Sequence, residues 1–222
     1  MTIPFYVPPE QQVRDKAEFA RKGIARGRSI IAVDYAKGVL LLAENPSKAL
    51  HKISEMYDRI AFAGVGKYNE FETLRKAGIR QADLMGYLYS REDVTAMGLA
   101  TAFAQTLGVI FTRESKPFEV EVMIVEISEE GDEHRLFRIT YDGTLYDERN
   151  FVAIGGKAEQ LVEALQGQWE DDMTLERALE IGSQAFRTAE GREIEGWEAA
   201  VLDSSNGRRT FRRLKPEELP AP

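Results

Sequence analysis

The sequence predicts a single mixed domain, α+β or α/β, most economically two packed sheets with helices on their outer faces. The order of periodicities is one observation: helix, strands, two helices, strands, two helices, strands. The helices also come in pairs, and a pair cannot bury two apolar faces against the edge of one sheet. Finally, 222 residues suffice to bury a substantial core. The chain carries no internal repeat.

Residues 1 to 8 hold two prolines with Ile3, Phe5, Tyr6 and Val7. Proline limits regular structure, so an extended arm is expected, apolar enough to seek a surface. Pro8-Pro9-Glu10 then opens a helix over 9 to 26. Proline suits a first turn, and a carboxylate there meets the positive end of the helix dipole. Val13, Ala17, Ala20 and Ile24 recur at spacings of three and four and form one stripe, and Gly23 and Gly27 supply the stop.

Strands are expected at 29 to 35 and 39 to 44 around a Lys37-Gly38 hairpin, and at 50 to 56 and 59 to 63 around Asp58. The period then changes: Phe71, Leu74, Gly78, Ala82, Met85 and Leu88 mark a helix from about 67 to 89. Ser90 with Asp93 resembles a cap for the next helix, whose face reads Met97, Ala100, Ala104, Leu107 and Phe111. Strands return at 118 to 127 and 135 to 141. The Glu129-Glu130-Gly131-Asp132-Glu133 tip between them is read as solvated and not as a metal site, since four carboxylates cannot share a buried turn.

Asp142-Gly143 closes a turn, 151 to 154 is a short strand, and Gly155-Gly156 leads into a helix over 157 to 166. Thr174 caps a helix with the face Leu175, Ala178, Leu179, Gly182, Ala185, Phe186 and Ala189. Strands 197 to 202 and 210 to 214 follow, joined at Asn206-Gly207, and 215 to 222 reads as a mobile tail. The domain proper thus spans 9 to 214.

Composition narrows the function. A net charge of −8 argues against nucleic acid, which requires clustered basic surface. With no cysteine, disulfides, thiolate metal sites and a thiol nucleophile are excluded together, and the absence fits a cytoplasmic location. No apolar run reaches the roughly 18 residues of a membrane span, and the N-terminus lacks a signal-peptide layout. Neither a cofactor nor a metal is expected. Gly64-Val65-Gly66-Lys67 lacks the spacing of a phosphate loop, and His51 and His134 have no partners at metal-site spacing. Trp169 and Trp197 are read as packing residues.

Glu18-Phe19-Ala20-Arg21, followed by Ile24 and Gly27, resembles the Glu-Tyr-Ala signature helix of proteasome α-type subunits. Residues 29 to 44 resemble that family's first hairpin, and Lys52 to Ile60 with Ala63-Gly64 its next strands. Phe5-Tyr6-Val7-Pro8-Pro9 stands where archaeal and eukaryotic α-subunits carry Tyr-Asp and Gly-Arg elements, which looks like the bacterial, actinobacterial branch of the 20S core. The resemblance implies a four-layer α-β-β-α sandwich, the N-terminal-nucleophile hydrolase fold, with an extra N-terminal helix.

Catalytic relatives on that fold attack with a residue at the start of the first strand, and its free amine serves as base. Aligning Gly38 with their hairpin glycine puts Arg28 at the nucleophile position, which arginine cannot fill. Ser29 could serve only after cleavage behind Arg28, discarding the signature helix; that is the alternative reading, a free-standing amidohydrolase or peptidase. Thr2 would be terminal after loss of Met1 but lies far ahead of the strand. Lys52 aligns in sequence with the lysine that tunes the nucleophile in catalytic subunits. In α-type subunits the matching lysine lines a pocket between neighbours, and there it pairs with the C-terminal carboxylate of a ring-shaped activator ATPase. Gly66 matches the pocket glycine, whose missing side chain lets the docking peptide approach.

The resemblance therefore implies a non-catalytic subunit of a heptameric outer ring stacked on β-type catalytic subunits. Met1, Thr2, Ile3, Pro4, Phe5, Tyr6, Val7 and Pro8 would occlude the pore against unfolded protein substrates until an activator tail docks. Neither nucleic acid nor a membrane is an expected partner.

Overall fold

The computed structural model describes residues 8–128 and 134–220. The expected arm from Met1 to Val7, the acidic tip at 129 to 133 and the last two residues lie outside the described residues.

Two five-stranded antiparallel sheets form the centre. The first has the strand order β10 (Phe211–Arg213), β9 (Trp197–Asp203), β2 (Gly38–Glu44), β1 (Ile30–Tyr35), β8 (Phe151–Ile154). The second runs β3 (Ile53–Tyr57), β4 (Ile60–Gly66), β5 (Val120–Glu126), β6 (Arg135–Ile139), β7 (Leu145–Glu148). Alternation along the strands sorts side chains into layers. Ile30, Ala32, Val39 and Leu41 of the first sheet meet Ala61, Ala63, Met123 and Val125 of the second between the sheets. Ile31, Val33, Leu40 and Leu42 face outward onto α4 (Ala158–Gln166) and α5 (Leu175–Glu190). Phe62, Val122, Ile124 and Phe137 face the other way, onto α2 (Tyr68–Leu88) and α3 (Ala96–Arg113). The result is the four-layer α-β-β-α sandwich, and strands buried on both faces explain why the sequence shows apolar runs rather than clean alternation.

The extra helix α1 (Pro9–Ala25) lies against β4 and β5. Ala20 and Ile24 join the inter-sheet core and Ala17 packs against it, whereas Val13 is 53% exposed, so the stripe outruns the body that it covers. Lys16 fastens the helix by donating to the carbonyls of Phe111 (3.1 Å) and Glu114 (2.7 Å) at the end of α3, where free carbonyls favour a cation.

Several local expectations are corrected. Ser90 and Asp93 do form a reciprocal cap, but on a 3₁₀ turn, Arg91–Asp93; Thr95 caps α3 by accepting from the Gly98 amide at 3.2 Å. The buried face of α3 is Ala96, Leu99, Ala100, Phe103 and Leu107, and Met97 is exposed. At the end of α2, Met85 and Leu88 point outward. The strand β7 was not expected. The segment read as a tail is held as far as Leu219: Pro216–Glu218 form a 3₁₀ turn, Arg212 pairs with Glu218 at 2.7 Å, and Leu219 packs on the α4–α5 core.

Candidate docking site at the α1–β1 junction

Residues 26 to 29 carry the chain from α1 into β1, and the side chains of Arg28 and Ser29 are both hydrogen-bonded. Arg28 donates through one guanidinium nitrogen to Glu44 (2.8 Å) and through the other to Glu195 (2.6 Å). The Glu44 carboxylate is fully buried at the end of β2 and also takes both terminal nitrogens of Arg192, at 2.7 and 2.8 Å, and the Glu195 amide at 3.2 Å. Burial pushes its pKa up, but these donors outweigh that and hold the carboxyl below the usual glutamate range.

Lys52, just ahead of β3, reaches across from the second sheet. Its ammonium donates to the carbonyls of Arg28 (2.8 Å) and Glu44 (3.3 Å), pinning the open end of the β1–β2 hairpin. Burial pulls this ammonium down, to about 8, against the attraction of Glu198 and Glu44; Arg28 adds to the depression. Behind it, Glu198 of β9 accepts from the amides of Lys52 (2.9 Å) and Ile53 (3.2 Å), from Asn45 (2.7 Å) and from Arg213 (3.0 Å), locking the two sheets together. His51 lies 3.3 Å from the same carboxylate.

Gly66 closes the other side. Its φ is +104°, and a Cβ there would come within 1.9 Å of the Glu119 carbonyl, so glycine is required by the chain's own backbone. Gly27 packs so tightly on it that a Cβ at 27 would sit 2.9 Å from the Gly66 amide. Gly64, Val65 and Gly66 are strand residues and Lys67 is the cap residue just ahead of α2; they form no phosphate cradle. Lys52 and Gly66, expected to share a pocket, thus both bear on residues 27 and 28, from two directions.

Ser29 is 1% exposed, and its hydroxyl accepts from the Lys157 amide at 3.0 Å, at the start of α4. Gly155 brings that start close: its φ is +105° and a Cβ would meet the Ser29 Cα at 2.9 Å. The Gly155 amide donates to Glu121 at 2.9 Å, a second buried carboxylate, whose other oxygen lies 3.3 Å from Arg138. Here burial dominates and raises the carboxyl above its usual range.

The signature residues occupy successive faces of α1. Glu18 pairs with Lys22 at 2.6 Å in solvent, and Phe19 is 45% exposed with the Lys116 ammonium 5.4 Å from its ring centre. Ala20 is buried, and Arg21 lies 5.9 Å over the Tyr141 ring. Pro8 is exposed, and its carbonyl accepts from the Gln12 amide. Trp169 donates to the Asp34 carbonyl at 3.2 Å, and both it and Trp197 pack on the α4–α5 core. The carboxylates around the junction were not singled out in the sequence: Glu198 lies 146 residues from Lys52 and Glu195 lies 167 from Arg28, separations with no local signature.

Among the described residues no helix is long and apolar enough to cross a membrane. A sequence model of the family described as "Proteasome subunit" matches residues 24–202. Three actinobacterial proteins described as proteasome subunit alpha are similar over nearly the whole chain. That of Thermomonospora curvata is 55% identical over 217 residues, 96% of this chain and 94% of its own. That of Kineococcus radiotolerans is 54% identical over 224 residues, covering 96% and 94%. The Paenarthrobacter aurescens protein is 52% identical over 229 residues, covering 99% and 97%. The chain belongs to the proteasome subunit family, as an α-type subunit of the bacterial 20S core.

Proposed function

We propose that this chain is the non-catalytic gating subunit of its core particle. Copies form a heptameric outer ring on the β-type catalytic subunits, and residues 1 to 8 occlude the axial pore. The tail of a ring-shaped activator ATPase docks at Lys52 beside Gly66 and opens the path for unfolded protein substrates in the cytoplasm. The observation that carries this reading is the Lys52 contact: its ammonium sits 2.8 Å from the Arg28 carbonyl, on the segment that joins α1 to the body. A carboxylate recruited to that ammonium acts directly on the root of the helix that bears the arm. Each arm need gain only a few kcal/mol for a two-state gate to stay mostly closed.

Two points speak against catalysis by this chain. The resemblance puts Arg28 at the nucleophile position, which arginine cannot fill, and the Ser29 hydroxyl is buried against α4. A peptidase processed before Ser29 would be lighter by the mass of residues 1 to 28, which intact mass spectrometry reads at once. For the docking role, Lys52→Ala in the assembled core is expected to abolish activator-stimulated protein degradation; stimulation that persists in the variant refutes the assignment. Docking needs the ammonium form, so stimulation also falls as pH rises through about 8.

A further inference from the structure

The Glu195 side chain is an exposed carboxylate seated on Arg28, whose carbonyl holds Lys52. Glu44 and Glu198 are buried and saturated with donors. Glu195 instead is 58% exposed at its side chain and lies 2.6 Å from one guanidinium nitrogen of Arg28. It sits between α5 and β9, outside both elements, so its side chain can turn away without breaking a strand or helix. The Arg28 side chain is itself 31% exposed, and its guanidinium stays anchored through the other nitrogen to Glu44. Lys52 meets the same two residues from the backbone side, at the carbonyls of Arg28 and Glu44. Two cations therefore converge on one short stretch, and one of them holds an exposed carboxylate.

We propose that Arg28 is a second docking cation and that Glu195 is an internal stand-in for a carboxylate of the docking chain end. The preferred ligand is then a peptide terminus carrying two carboxylates, one for Lys52 and one that replaces Glu195 on Arg28. Exchange is easy because an exposed ion pair holds weakly and one carboxylate substitutes for another with the same charge-assisted bond. The Glu44 anchor keeps the guanidinium oriented while its outer partner changes. Glu195 thereby sets a threshold: a terminus with a single carboxylate meets Lys52 but leaves the Arg28 contact internal.

This inference rests on the docking role of Lys52, and the test separates the two. Fluorescein-labelled Gly-Ser peptides ending in free-acid Glu, free-acid Gln or Gln amide are titrated by fluorescence anisotropy against cores assembled from this chain and a β-type subunit. Native, Glu195→Gln and Lys52→Met cores are compared. Glu195→Gln leaves the backbone amide bond to Glu44 in place and alters only the exposed carboxylate. The expected result is a Glu-over-Gln affinity ratio that widens about three- to fivefold in Glu195→Gln cores. A ratio that does not change, with free-acid peptides still outbinding the amide in a Lys52-dependent way, overturns the role of Arg28 and spares that of Lys52. Equal binding of acid and amide, or binding indifferent to Lys52→Met, overturns both.

Discussion

Two buried carboxylates flank the α1–β1 junction, and the fold shifts their pKa values in opposite directions. Glu44 is fully buried yet kept ionised, because two guanidiniums and an amide converge on it. Glu121 is also largely buried, but it has one guanidinium at 3.3 Å and one amide at 2.9 Å, and burial raises its pKa. The difference teaches that depth alone does not set the charge of a buried acid; the count and geometry of its donors do. It also divides the labour at the junction. The Glu44 carboxylate anchors Arg28, whereas Glu121 borders a cleft of about 670 Å³ with Arg21, Tyr141 and Tyr146.

The contrast breaks if Glu44→Gln proves mild. That change leaves Arg28 and Arg192 under-paired and is expected to cost about 2–4 kcal/mol in urea unfolding at neutral pH and fixed protein concentration. A loss below ~1 kcal/mol would mean that the anchor is dispensable. Acid sharpens the comparison further. The Glu44 carboxyl is depressed in the folded state, so its contribution is present above the ordinary glutamate value and lost as pH falls through the folded one. For Glu121 the sign reverses: its raised folded value means a contribution present at low pH and lost as pH rises through that value. The acid-side loss of stability is accordingly shallower in Glu44→Gln than in the native chain. The smallest effect belongs to Glu121→Gln, expected to lie within ~1 kcal/mol of native at pH 7, because a neutral amide removes a desolvated charge while preserving most of the contacts.

Much of this fold is legible in the sequence. The α1 stripe, the β1–β2 hairpin, the Thr174 cap and the apolar face of α5 are local patterns that the structure retains. The failures have physical causes. β7 is an edge strand reading Leu145-Tyr146-Asp147-Glu148, with too little apolar alternation to stand out. Ser90 and Thr95 both offer caps five residues apart, and the 3₁₀ turn that separates their roles has no periodic signal. An apolar helix such as α3 presents more than one stripe, and packing on β5 and β6 selects Leu99 and Phe103 over Met97. At the junction, Lys52 and Gly66 were reached through family resemblance. The internal reason for Gly66, a positive φ against the Glu119 carbonyl, emerges only with the second sheet in place.

The central claim is a gate without chemistry of its own, and hydrolysis of a short fluorogenic peptide tests it most directly. The rate is measured for this chain alone, for cores assembled with a β-type subunit, and for such cores lacking residues 2 to 8. The account predicts no activity from the chain alone, activity with the β-type subunit, and a faster rate after the deletion. Hydrolysis by the chain alone, or a rate unchanged by the deletion, would contradict it.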